Sequence, residues 1–156
     1  MKKIANIYKY VACALLILGF GCKKTLDINE DPNNPRIENA SLEVLFPAGV
    51  MSTAGVVGGH LAILGGFWSQ YWTQSNNSSQ FRAIDAYNLT STNEEVNSPY
   101  EELYAGALYD YKLAKQIAVQ NQDWRYNLMI TVMNAYTYQV LVDLYDQVPF
   151  SEALQG

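Results

Sequence analysis

Within five residues, Trp68-Ser69-Gln70-Tyr71-Trp72 sets three large aromatic rings beside two hydrogen-bonding side chains. Aromatic faces stack on the apolar faces of sugar rings, while Tyr hydroxyls and Gln amides bond ring hydroxyls. Trp68 and Trp72 stand four residues apart, so a helix through them would place both rings on one face. The same residues suit helix packing, because large aromatics dominate protein cores. With 3 Trp and 12 Tyr in 156 residues, both uses are open, and Trp68, Tyr71 and Trp72 are the candidate ligand-binding residues.

Other chemistry is sparse. His60 is the single histidine and lies in a glycine-rich apolar stretch, where a lone imidazole reads as a hydrogen-bonded core residue. There is no His cluster, no metal-ligand spacing, no Gly-x-Ser-x-Gly elbow and no phosphate-binding glycine loop. The chain is therefore read as a non-enzyme without cofactor or metal. One partial template exists: Asp27, Asn29, Asp31, Asn33 and Glu38 fall at positions 1, 3, 5, 7 and 12 of a calcium loop. That loop needs Gly at its sixth position for a sharp turn, and Pro32 stands there, unable to take a positive φ. The stretch reads as a solvated tether.

The N-terminus carries a different kind of chemistry. Lys2, Lys3 and Lys9 precede an apolar run from Val11 to Phe20, too short for the ~20 residues of a membrane span. A charged start, a short apolar run and a small residue at the cut describe a secretory signal over residues 1–21. The signal ends Gly21-Cys22, which resembles the lipobox at which the Cys is acylated and becomes the new N-terminus, with Gly19 in place of the usual aliphatic residue. Cys22 is thus the expected attachment site of a lipid such as palmitate. Cys13 lies in the removed segment, so the mature chain has no pair of thiols to join. Removal also takes three lysines, leaving 7 basic against 15 acidic residues, a net charge of −8. Such an acidic chain is a poor partner for phosphate backbones, which argues against nucleic acid.

The elements that must position these residues read as helices. Residues 22–40 form a polar tether with Pro32 and Pro35, and residues 41–156 a helical domain. Val44 to Trp68 lacks any charged side chain, yet Pro47, Ser52, Thr53, His60 and six glycines dilute it. The expectation is a buried helix, broken near the glycines, rather than a membrane span. Residues 76–97 read as a long polar loop, with Phe81 to Leu89 packed on the body. Ser98, Pro99 and Glu101 form a helix start with a capping box. Leu103, Ala107, Leu108, Tyr111, Ala114, Ile117 and Ala118 follow at helical spacing. Asn121-Gln122-Asp123 make a turn, with Asp123 capping a helix from about Trp124 to Tyr145. That last helix is apolar around most of its circumference, so neighbours are expected on several sides. No alternating strand pattern occurs, and the fold class is all-α.

Four features resemble the N-terminal part of the SusD/RagB family of outer-membrane nutrient-binding lipoproteins. They are the Cys22 signal, the tether Leu26-Asp27-Ile28-Asn29-Glu30-Asp31-Pro32-Asn33, the Trp68-to-Trp72 group, and the helix end from Leu141 through Val148-Pro149-Phe150-Ser151-Glu152-Ala153. The resemblance implies a tetratricopeptide-like helical array, the N-terminal part of a larger SusD-like fold that continues beyond Gly156. It implies a lipid-anchored, surface-exposed protein of the cell outer membrane that binds an oligosaccharide or similar nutrient. The implied partner is a TonB-dependent transporter. Asp146 stands where the family often has Gly at a helix end; Asp tolerates the left-handed conformation better than most residues. Two other classes remain open: a lipoprotein hydrolase whose catalytic part lies elsewhere, and a structural helical adaptor of the envelope.

Overall fold

The computed structural model describes residues 40–90 and 94–155. The signal, Cys22 and the calcium-like tether lie outside the described residues. Every regular element among the described residues is helical: α1 (Leu42–Gly55), π1 (Val56–Leu61), α2 (Ala62–Trp68), α3 (Arg82–Asp85), α4 (Glu94–Glu101), π2 (Glu102–Leu108), α5 (Tyr109–Gln120) and α6 (Trp124–Tyr145).

From Leu42 to Trp68 the chain is one helix of 27 residues, long and apolar enough to cross a membrane by length and composition. The glycines do not break it. At Gly58 and Gly59 the helix widens into π1 and continues, which is how an α-helix absorbs a local change of register. Nor is the helix buried all round. Its inward stripe is Leu42, Leu45, Gly49, Thr53 and Val56, spaced by three or four residues, while Val44 and Met51 are exposed. The stripe packs on π2, α5 and α6, so this helix is a member of the bundle.

Gly49 allows the closest approach. A Cβ there would lie 2.6 Å from Tyr111 Cε1, so no larger residue fits without displacing that ring. One helical turn further on, three buried hydroxyls from three helices meet. Thr53 Oγ1 lies 3.0 Å from the Tyr111 hydroxyl and 3.0 Å from Thr137 Oγ1. The two threonines donate back to the Gly49 and Met133 carbonyls, so Tyr111 is the remaining donor in the knot. Burial pushes the Tyr111 hydroxyl above its ordinary range and keeps it protonated.

The helix holding Tyr111 begins earlier than its sequence suggests. It starts at Glu94, so Ser98 caps nothing and Pro99 sits inside α4. A proline there removes one hydrogen bond and crowds the carbonyl four residues back, and the chain passes into π2 from Glu102. The inward residues are those the spacing marks: Leu103, Ala107, Leu108, Tyr111, Ala114 and Ala118 are at most 1% exposed. Each buried leucine contributes about 1.5–3 kcal/mol relative to leaving it in water.

The turn from α5 to α6 is the expected one. Gln122 takes φ 55°, the Gln122 amide donates to Val119 and the Asp123 amide to Ala118, a Schellman arrangement built without glycine. Asp123 caps α6, accepting from the Tyr126 amide at 3.1 Å. Helices joined by so short a turn form an αα-hairpin, the unit that tetratricopeptide-like arrays repeat. Contrary to expectation, α6 is covered on one side only: Ile130, Thr137 and Leu141 are buried, while Trp124, Leu128, Val132 and Val142 are exposed among the described residues.

Much of the tyrosine surplus is structural. Tyr100 meets Tyr104 at 4.8 Å and Tyr145 edge-on at 5.2 Å; Tyr104 continues to Tyr138, and Tyr138 to Phe150. The Tyr104 hydroxyl donates to the Pro149 carbonyl and that of Tyr145 to Val96. The Val148-Pro149-Phe150 motif is thereby fastened to π2 and α6. Burial, reinforced by its tyrosine neighbours, raises the Tyr104 pKa to about 12.

Asp146 ends α6 at φ 62°, ψ −89°, a conformation that glycine adopts more readily. Its carboxylate also stands at the negative end of the helix dipole. Asp146→Gly should therefore stabilise the fold by about 1 kcal/mol. Urea midpoints of the two proteins measure this, and a lower midpoint for the variant would contradict it.

Candidate functional site

The aromatic group does not lie on one helix. The helix α2 stops at Trp68, so Trp68 and Trp72 do not share a helical face. Gln70 turns the chain with φ 61°; its amide donates to Phe67 at 2.9 Å, and the Trp72 amide reaches back to Gly66 at 3.0 Å. The indole of Trp72 consequently lies over the bare backbone of Gly66, where a Cβ would come within 2.3 Å of the ring. It also meets Phe67 edge-on at 6.2 Å. A helix with a larger residue at 66 could not be folded back upon in this way.

Trp68 is held differently. Its indole N–H donates to the Ile84 carbonyl at 3.1 Å, and its ring stacks on Tyr87 at 6.0 Å with a 28° interplanar angle. Tyr87 takes φ 53° at the end of α3, and its hydroxyl donates to the Trp68 carbonyl and accepts from Gln70 Nε2. Phe81 packs on Phe67 and Ile84 is buried, so the segment 81–89 does pack on the body and adds α3 to what reads as loop.

These contacts enclose a cavity of about 300 Å³ lined by Phe67, Gln70, Trp72, Thr73, Asp85 and Tyr87. That is the low end of the ~300–1,000 Å³ of small-molecule sites. Trp72 and Tyr87 are each about half exposed, at 51% and 53%, so both offer ring surface to a ligand. Asp85 adds a carboxylate acceptor, while the Gln70 amide and Thr73 hydroxyl can donate or accept. Of the three residues the sequence singles out, Trp72 lines the cavity, Trp68 stands behind Tyr87 as support, and Tyr71, at 87% exposure, is outside the lining. Asp85 and Tyr87 escape sequence reasoning because the polar stretch 73–80 separates them from Trp72 in the chain, and Thr73 reads as the start of that stretch; only the apolar Phe81 and Ile84 hinted that the segment docks.

His60 is elsewhere, on π1, beside a cavity of about 440 Å³ shared with Ser52, Ser98 and Glu102. Its Nε2 is buried without a hydrogen-bond partner among the described residues, so it is not the satisfied core imidazole expected. No group of three or more His, Cys, Asp or Glu side chains able to hold a metal occurs among the described residues.

The described residues thus form an all-α bundle in which a helix end, a loop and aromatic rings border a small open cavity. The comparison with protein families gives the class its name. Residues 49–156 match the SusD-like family described as starch-binding, associating with the outer membrane, and the chain belongs to that family. No curated protein matches the chain by sequence.

Proposed function

We propose that this protein is a lipid-anchored outer-membrane subunit that binds an oligosaccharide at the Trp72 cavity and hands it to a TonB-dependent transporter without altering it. The observation that supports this most is the cavity itself: two half-exposed aromatic rings, Trp72 and Tyr87, with Asp85, Gln70 and Thr73 around them. Stacking on rings and hydrogen bonding to hydroxyls is what a neutral sugar requires. The family's description supplies carbohydrate and outer membrane together. Acylated Cys22 would hold the domain at the membrane, with residues 23–40 as tether.

Trp72→Ala should weaken binding of a starch oligosaccharide by about 1–3 kcal/mol, by analogy with aromatic stacking of nucleic-acid bases, and leave helix content unchanged. Trp68→Ala removes the bond to Ile84 and the ring behind Tyr87, and should lower stability by about 1–3 kcal/mol. Calorimetric titration beside thermal melts by circular dichroism separates the two effects. Unchanged affinity in the Trp72 variant would remove this cavity from the binding site.

A further inference from the structure

A larger cavity lies along the α5–α6 hairpin and shares no lining residue with the first. It has a volume of about 590 Å³ between α5, α6 and the turn after Pro149. Its lining includes the buried Leu108 and Ile130 and the rings of Tyr138 and Phe150, together with Lys112, Lys115, Gln116, Gln120 and Asn134.

The charge of this cavity is at odds with the rest of the domain. From Ala40 onward the basic side chains apart from His60 are Arg82, Lys112, Lys115 and Arg125, against eleven Asp and Glu. Two of those four line this one cavity, and no carboxylate lines it. Lys112 and Lys115 are three residues apart on α5, and no acidic residue stands three or four positions from either to neutralise it. Lys112 uses one N–H on the Leu154 carbonyl. Lys115, Gln116, Gln120 and Asn134 make no side-chain hydrogen bond among the described residues. Two like charges held together without a counter-ion leave an anion's place open, and the amides beside them are free to bond hydroxyls. Tyr138 and Phe150, edge-on at 4.8 Å, supply an aromatic wall.

We infer that this second cavity binds a saccharide unit bearing a carboxylate, with Lys115 and the remaining N–H groups of Lys112 on the carboxylate and Gln116, Gln120 and Asn134 on the hydroxyls. The inference needs none of the residues of the Trp72 cavity, and it extends the ligand class from neutral to acidic sugars.

The test uses the full chain and a galacturonic acid trisaccharide, compared with its methyl ester, which keeps every hydroxyl and loses the charge. The acid should bind at least tenfold more tightly than the ester, as charge-assisted hydrogen bonds require. Lys115→Gln, at an exposed position with no partner to lose, should cut affinity for the acid by about fivefold to tenfold and leave the ester unaffected. Trp72→Ala should leave binding of the acid unchanged. Equal affinity for acid and ester, no effect of Lys115→Gln, or loss of acid binding in the Trp72 variant would each overturn the inference. The last outcome would place the acid in the first cavity and leave that reading standing.

Discussion

Replacing Tyr111 by Ala should lower the free energy of unfolding by about 3–5 kcal/mol, the largest stability effect expected of any single change in this domain. The ring is 1% exposed, fills the space left by Gly49, and carries the hydroxyl that meets Thr53 on α1, which in turn meets Thr137 on α6. Removing it opens a cavity at the crossing of three helices. Tyr111→Phe isolates the hydroxyl. It should cost only about 1 kcal/mol, because both threonines keep their bonds to their own helix carbonyls. The hydroxyl also has a pH signature. Its folded pKa is raised above 10.0, so the stability it contributes is fully present below the unfolded value and is lost as pH rises through the folded one. Denaturant unfolding curves of both variants, repeated on either side of pH 10, measure these effects. A Phe variant as damaged as the Ala variant would show that the hydroxyl knot, and not the ring, holds the crossing.

The second large effect concerns the anchor. Cys22→Ser should abolish incorporation of labelled fatty acid and release the chain from the membrane, since the proposed acyl chain contributes about 0.8 kcal/mol per buried CH₂. The comparison also decides what the 27-residue helix Leu42–Trp68 does. Its packed stripe faces α5 and α6, and Thr53 is bonded to both, so release is the expected outcome. Equal labelling of the two proteins would remove Cys22 as the attachment site. Retention of an unlabelled variant in carbonate-washed membranes would make that helix an anchor in its own right.

The sequence is most informative where a helix follows ordinary rules. The inward face of π2 and α5 and the cap at Asp123 are legible because apolar spacing and a capping carboxylate act within a few residues. The end of α6 at Asp146 is legible for the same local reason, aided by the family resemblance. The start of α4 is not legible: Ser98-Pro99-Glu101 has every local mark of a helix start, and the chain is already helical by then. The break expected near the glycines is absent: Gly49 serves close packing on Tyr111, while Gly55, Gly58 and Gly59 face open space within a helix that continues through them.

For the candidate site, composition marked the segment Trp68 to Trp72, and the structure gives that segment a different geometry from the expected helix. Trp68 and Trp72 have helical spacing, but Gln70 in the left-handed region reverses the chain between them. No local rule demands that from a glutamine. The partners Asp85 and Tyr87 arrive through a loop whose docking depends on Phe67, Phe81 and Ile84 meeting in three dimensions. Such contacts of distant segments carry no periodicity, so they are read only from the folded chain.

The most direct test of the central claim is a calorimetric titration of the full chain with a starch-derived oligosaccharide, with reducing ends assayed in the same cell. Saturable binding at a single class of site, with no new reducing ends and with loss of affinity in Trp72→Ala, is the result expected. Release of shortened sugars, or no saturable heat with any starch oligosaccharide, would contradict it.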